Sequence, residues 1–135
     1  MEAEKKGINV SVNISNKIEK SFLGKLETKD FKDFVRIIGV YLDNAIEASF
    51  ESNEKKLGIE IYMIKDDINI ILSNTYVNKI DKNKIGIERF TTKGKNRGHG
   101  LLLVNHILHN NSIFESSNEI ANNVYVQKLT IKNIK

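Results

Sequence analysis

Ile8, Val10, Val12 and Ile14 alternate with Asn9, Ser11 and Asn13, a period of two that predicts a strand with one wet face. Two isoleucine-rich runs, Gly58 to Lys65 and Ile68 to Ser73, are divided by Asp66-Asp67 and predict a hairpin placed centrally in a sheet. A last pair, Ser112 to Ser117 and Val124 to Ile131, brackets a polar connection through Asn118 and Asn122-Asn123. The C-terminus is therefore expected to be sheet as well. Between these runs the period changes to that of a helix, over about Asp30 to Phe50 and again over about Gly100 to Asn110.

On the first helix, Phe31, Phe34, Val35, Ile38, Leu42, Ala45, Ile46 and Ser49 share one broad face at 100° per residue, which predicts the core stripe. Ile37, Val40, Tyr41 and Ala48 fall on the other side. A helix apolar on two sides is expected to be covered twice, by a sheet behind and by a lid, ligand or partner in front. Asn44 stands in the middle of that second face. Left buried and unsatisfied its amide would cost about 1 to 3 kcal/mol. A neighbouring loop or water could supply the partner as readily as a ligand.

The second helix buries Leu101, Val104 and Leu108 with the adjacent Leu103 and Ile107, and Asn110-Asn111 can end it. Its start carries more chemistry. Gly94 and Gly98-His99-Gly100 allow close approach of backbone to a ligand, and a helix start offers unpaired N–H groups with a positive dipole. Arg89, Lys93, Lys95 and Arg97 add mobile cations just ahead, so the segment suits phosphate. The Gly-Lys-Ser or Gly-Lys-Thr ending of a Walker-type loop does not occur, which argues against P-loop chemistry.

The 135 residues suit one domain, and 40% hydrophobic against 28% charged residues is globular composition. No apolar run approaches the roughly 20 residues that cross a bilayer. The chain has no cysteine, which excludes disulfides, thiolate zinc sites and a cysteine nucleophile, and fits a reducing compartment. Residues 1–6, Met1-Glu2-Ala3-Glu4-Lys5-Lys6, lack the pattern of a secretory signal and are expected to be a frayed lead-in to a domain spanning 7–135. The formal net charge of +4 is compatible with a nucleic-acid partner, a phosphorylated ligand or a merely solubilising surface.

Three segments taken together resemble a known set: Asp43-Asn44-Ala45-Ile46-Glu47-Ala48, the strand ending Ser73-Asn74-Thr75, and Thr91-Thr92-Lys93-Gly94-Lys95-Asn96-Arg97-Gly98-His99-Gly100-Leu101. They resemble the ATP-binding boxes of sensor histidine kinases, in the GHKL superfamily shared with gyrase, the Hsp90 chaperones and MutL. Within it, the first segment and the short Thr-Lys-Gly lid are most similar to quorum-sensing kinases of the accessory-gene-regulator (AgrC) type. The likeness runs from about Gly7 to Ile131.

The resemblance implies an α+β fold, the two-layer Bergerat sandwich with a mixed sheet covered on one face by helices. It implies ATP and Mg2+ as ligands, with Asn44 on the magnesium ion and Asn74 accepting the adenine amino group. Lys93 and Arg97 would meet the β- and γ-phosphates, and Gly98, Gly100 and Leu101 would make backbone contact. Tyr41, Glu47, Ala48 and Thr92 complete the implied ATP site. The chain departs from the family in having Asn74 for the usual aspartate, Thr75-Tyr76-Val77 for the following glycine pair, and His99 between the glycines.

Such a domain transfers the γ-phosphoryl group of ATP to a histidine on a separate helical dimerisation segment, chiefly by positioning and charge stabilisation. His99, His106 and His109 lie in or beside the second helix and none precedes an acidic residue, so the phosphoacceptor is expected outside this chain. The resemblance thus implies a monomeric cytoplasmic domain of a membrane-bound, homodimeric sensor, partnered by its histidine-bearing segment and a downstream response regulator. Two rivals stand beside it. One is an anti-sigma-factor-type serine kinase of the same superfamily. The other is a non-enzymatic basic nucleic-acid-binding module, disfavoured because aromatics do not interleave with the basic cluster.

Overall fold

The computed structural model describes residues 2–15, 18, 26–77 and 95–132. Their elements are α1 (Glu2–Lys5), β1 (Asn9–Ile14), α2 (Thr28–Glu51), β2 (Lys56–Ile64), β3 (Asp67–Thr75), α3 (Lys95–Asn110), β4 (Phe114–Ala121) and β5 (Val124–Ile131). The strands form one sheet in the order β1-β2-β3-β5-β4. β1 runs parallel to β2 and every other pairing is antiparallel, so the sheet is mixed and β3 is its centre. The hairpin of β2 and β3 is central or next to central, as its isoleucine content predicts.

One core lies on one face of this sheet. Ile68, Ile70 and Leu72 of β3, Leu129 and Ile131 of β5 and Phe114 of β4 point to the same side, and Phe34, Ile37 and Tyr41 of α2 with Val104 and Ile107 of α3 cover them. Strand alternation explains the selection, since residues two apart share a face. The result is the two-layer α+β arrangement that the sequence implies.

The buried stripe of α2 is Phe34, Ile37, Tyr41, Ala45, Ala48 and Ser49. This corrects the stripe expected from periodicity, because Phe31 and Val35 are exposed, Val35 by 51%. The helix is apolar around most of its girth, so the periodicity fixes its period but not its rotation. Packing selects the side where Ala45 and Ala48 let the helix approach the sheet, although alanine contributes little to a hydrophobicity sum.

Two further corrections concern boundaries. Asn118 lies inside β4, opposite Gln127, and the connection to β5 is only Asn122-Asn123, both at positive φ (51° and 66°). Asparagine tolerates the two left-handed positions that such a two-residue hairpin turn requires. Residues 2–5, expected as part of a lead-in, form the helix α1, whose Ala3 is fully buried in a second cluster with Ile8, Ala45 and Leu57. A helix-ending motif builds this corner. The Ile8 amide donates to the Ala3 carbonyl and the Gly7 amide to that of Glu4, while Gly7 takes φ 80°, the conformation glycine adopts at least cost.

Candidate functional site

α2 and α3 lie antiparallel, as two contacts show. At one end Asn111, just past α3, donates its Nδ2 to Asp30 and Asp33 in the first turns of α2, at 2.8 and 3.0 Å. At the other, Gly100 faces Val40, whose methyl carbons would lie in ordinary contact with an added Cβ, at 3.4 and 3.5 Å. The start of α3 therefore lies beside the C-terminal half of α2. The end of β3 comes to the same region. The Ser52 hydroxyl, just past α2, meets that of Thr75 at 2.6 Å.

α3 begins at Lys95, five residues before the start that periodicity predicts. Gly98 and Gly100 are thus helical, and the amides of Lys95, Asn96 and Arg97 in the first turn have no intrahelical partner. Gly100 and the half-buried Leu101 sit one turn deeper. There Gly100 faces Val40 of α2. Thr92 and Lys93 lie outside the described residues, as does the side chain of Arg97.

Asn44 is half-buried, one turn beyond Val40 on the flank of α2 that faces α3, and its side chain has no hydrogen-bond partner among the described residues. Glu47, also half-buried, follows on that flank, whereas Ala48 is buried toward the sheet. A half-buried amide oxygen beside a helix start is a hard donor of the kind magnesium accepts, so Asn44 fits the ion the fold family implies.

Asn74 is 3% exposed and points from β3 to the helix-covered face, in line with Ile70 and Leu72. Its cross-strand neighbours are Leu57 and Tyr125. Its Nδ2 donates to the Thr75 carbonyl at 2.9 Å, and its Oδ1 has no partner among the described residues. A buried acceptor without a donor is costly unless a ligand supplies one. The amino group of an adenine is such a donor.

Tyr41 stands apart from this set. It is buried in the main core, and its hydroxyl shares a 2.8 Å hydrogen bond with Ser116 of β4. Burial pushes its phenol above the ordinary value, with the Ser116 hydrogen bond pulling the other way and nearby Tyr125 adding to the rise. From Ser116 the contacts continue. Gln127 Nε2 donates to Ser116 Oγ at 2.8 Å, and the Tyr125 hydroxyl donates to Gln127 Oε1 at 3.1 Å. This polar chain reaches Tyr125, opposite Asn74. Sequence reasoning missed it, although Tyr125 and Gln127 continue the alternate positions of Leu129 and Ile131, where polar residues mark the edge of a core.

Other proteins share this architecture. The catalytic domain of the histidine kinase ThkA, in a nucleotide-free form, matches with TM-score 0.71 at 20% identity, over 98% of this chain and 83% of that one. The Acinetobacter baumannii histidine kinase AdeS matches with TM-score 0.63 at 12% identity, over 98% of this chain and 57% of that one. A histidine kinase domain from the Erythrobacter litoralis EL346 blue-light activated histidine kinase gives 0.63 at 9%, over 96% and 55%. No similar sequence was found among curated proteins. At these identities the structures speak for the fold alone. The sequence pattern of the GHKL domain, however, matches residues 29–132. Since that pattern runs from the first turn of α2 to just past β5, the chain belongs to the GHKL domain family.

Proposed function

We propose that this domain binds ATP with Mg2+ where α2, the end of β3 and the start of α3 converge, and presents the γ-phosphoryl group to a histidine on another segment of a sensor kinase. The observation that carries the reading is Asn74, whose buried amide oxygen has no donor among the described residues at the place where a base would lie. Asn44 and the free amides opening α3 lie on the phosphate side, and Lys93 and Arg97 would add charge there. By the likeness to the family, Glu47, Thr92, Gly98, Gly100 and Leu101 would complete the same site, with Ala48 and Tyr41 packed in the core beneath it.

Bound Mg2+ supplies charge neutralisation on the phosphates. The chain's own part is to bind and orient. In the transfer, a bond forms from the acceptor imidazole nitrogen to Pγ, the bond from Pγ to the bridging oxygen breaks, and ADP leaves with that oxygen. The histidine-bearing dimerisation segment, a response regulator downstream, membrane anchoring of a homodimeric parent and a secreted-peptide signal belong to this proposal through the likeness to AgrC-type kinases. No described helix is long and apolar enough to cross a membrane.

The test is transfer from γ-labelled ATP. The chain alone is expected to stay unlabelled, and a histidine-bearing dimerisation segment added in trans is expected to gain an acid-labile, base-stable phosphate that Asn44→Ala abolishes. Label on the chain alone contradicts the proposed division of labour. Acid-stable label on an added serine-bearing partner would favour the serine-kinase rival instead.

A further inference from the structure

We infer that Ser52 and Thr75 set the base selectivity of this site by fixing which way the Asn74 amide faces. The inference rests on the proposed nucleotide site and deepens it. A carboxylate at the end of β3 would accept hydrogen bonds from either oxygen and so could serve only an amino-bearing base edge. An asparagine is ambiguous. Turned one way it offers an acceptor to the 6-amino group of adenine, and turned the other it offers a donor to the 6-oxo group of hypoxanthine or guanine.

The structure removes that ambiguity. Asn74 Nδ2 lies 2.9 Å from the Thr75 carbonyl oxygen, and a carbonyl oxygen can only accept. Reversing the amide would set oxygen against oxygen in a position only 3% exposed, at the cost of a buried polar group without a partner. The lock is as good as the placement of that carbonyl, and Thr75 is held from several sides. Ser52 Oγ donates to the Ser49 carbonyl at 2.7 Å and shares a 2.6 Å contact with Thr75 Oγ1, which also lies within donating reach of the Lys56 carbonyl at 3.3 Å. Thr75 Oγ1 also accepts from the Lys56 amide at 3.0 Å, and Ser52 Oγ from the Lys55 amide at 3.0 Å. Two small hydroxyls thus tie the end of α2, the start of β2 and the end of β3 at one point. Both residues are buried and neither is placed against the nucleotide, so they are positioning residues acting through Asn74.

The test compares Mg-ATP with Mg-ITP, which differ at the purine 6-position, amino against oxo, and in the proton that the oxo form carries on N1, by displacement of a fluorescent ATP analogue. The wild-type chain is expected to prefer ATP by about tenfold or more, the consequence of opposing two buried acceptors. Thr75→Val, which keeps shape but removes the hydroxyl, is expected to bring the ratio toward one, and Thr75→Ser to restore it. In an Asn74→Asp background Thr75→Val should leave the ratio unchanged, because a carboxylate presents an acceptor whichever way it turns. A merely structural role for Thr75 would weaken both nucleotides alike and leave the ratio intact, overturning the inference. Equal binding of ATP and ITP by the wild-type chain would also overturn it while leaving the site standing, and binding of neither by the folded chain would overturn both.

Discussion

The hydroxyl of Tyr41 on α2 shares a 2.8 Å hydrogen bond with that of Ser116 on β4, 75 residues further along the chain. It joins the helix layer to an edge strand of the sheet. Tyr41→Phe keeps the packing and removes the bond, so a loss of about 1 kcal/mol in urea unfolding is expected. Nucleotide affinity should change far less than for Asn44→Ala, because the hydroxyl is committed to the sheet.

The same residue predicts an alkaline signature. Burial raises the Tyr41 phenol above its ordinary value of 10.0 in the folded chain, so the unfolded chain ionises first as pH rises. The unfolded state then binds fewer protons than the folded one, and stability falls with pH. The contribution is intact below about pH 10, the ordinary phenol value, and is lost as pH climbs toward the raised folded value. Unfolding free energies across this range should show a steeper fall for wild type than for Tyr41→Phe.

Asn111 bridges two carboxylates, Asp30 at 2.8 Å and Asp33 at 3.0 Å. Asn111→Ala is expected to cost about 1 to 2 kcal/mol, since hydrogen bonds to charged groups are lost where they are partly shielded from water. Asn111→Asp should be worse at neutral pH by adding a third like charge. Part of that extra cost should vanish on acidification, as chemical unfolding at two pH values would show.

Gly7 ends α1 at φ 80° and so brings Ala3 and Ile8 into one cluster. Gly7→Ala meets no atom within 4 Å, so its expected cost of about 1 kcal/mol is conformational alone. Gly7→Asn should recover part of it in thermal unfolding, because asparagine tolerates the left-handed region.

Much of this was legible in the sequence. Alternation located β1, isoleucine-rich runs located β2 and β3, and the run after Asn122-Asn123 located β5, all to within two residues, and the residue order around Asn44, Asn74 and Gly100 pointed to a GHKL domain. The rotation of α2 was not legible, since Phe31, Val35, Ile46 and Phe50 make a second apolar side that only the sheet could choose against. The first turn of α3 was missed because Lys95, Asn96, Arg97 and Gly98 have no apolar period to read. The buried role of Ala3 was hidden by the charges on either side of it. The Ser52–Thr75 contact joins residues 23 apart through side chains that look like ordinary turn residues, so only the three-dimensional structure reveals it.

The most direct measurement is calorimetric titration of this chain with a non-hydrolysable ATP analogue, with and without magnesium, alongside Asn44→Ala and Asn74→Ala. The account predicts magnesium-dependent binding by the wild type, loss of the magnesium dependence in Asn44→Ala, and at least about tenfold weaker binding in Asn74→Ala. Absence of binding by the folded wild-type chain, or binding indifferent to both substitutions, would contradict it.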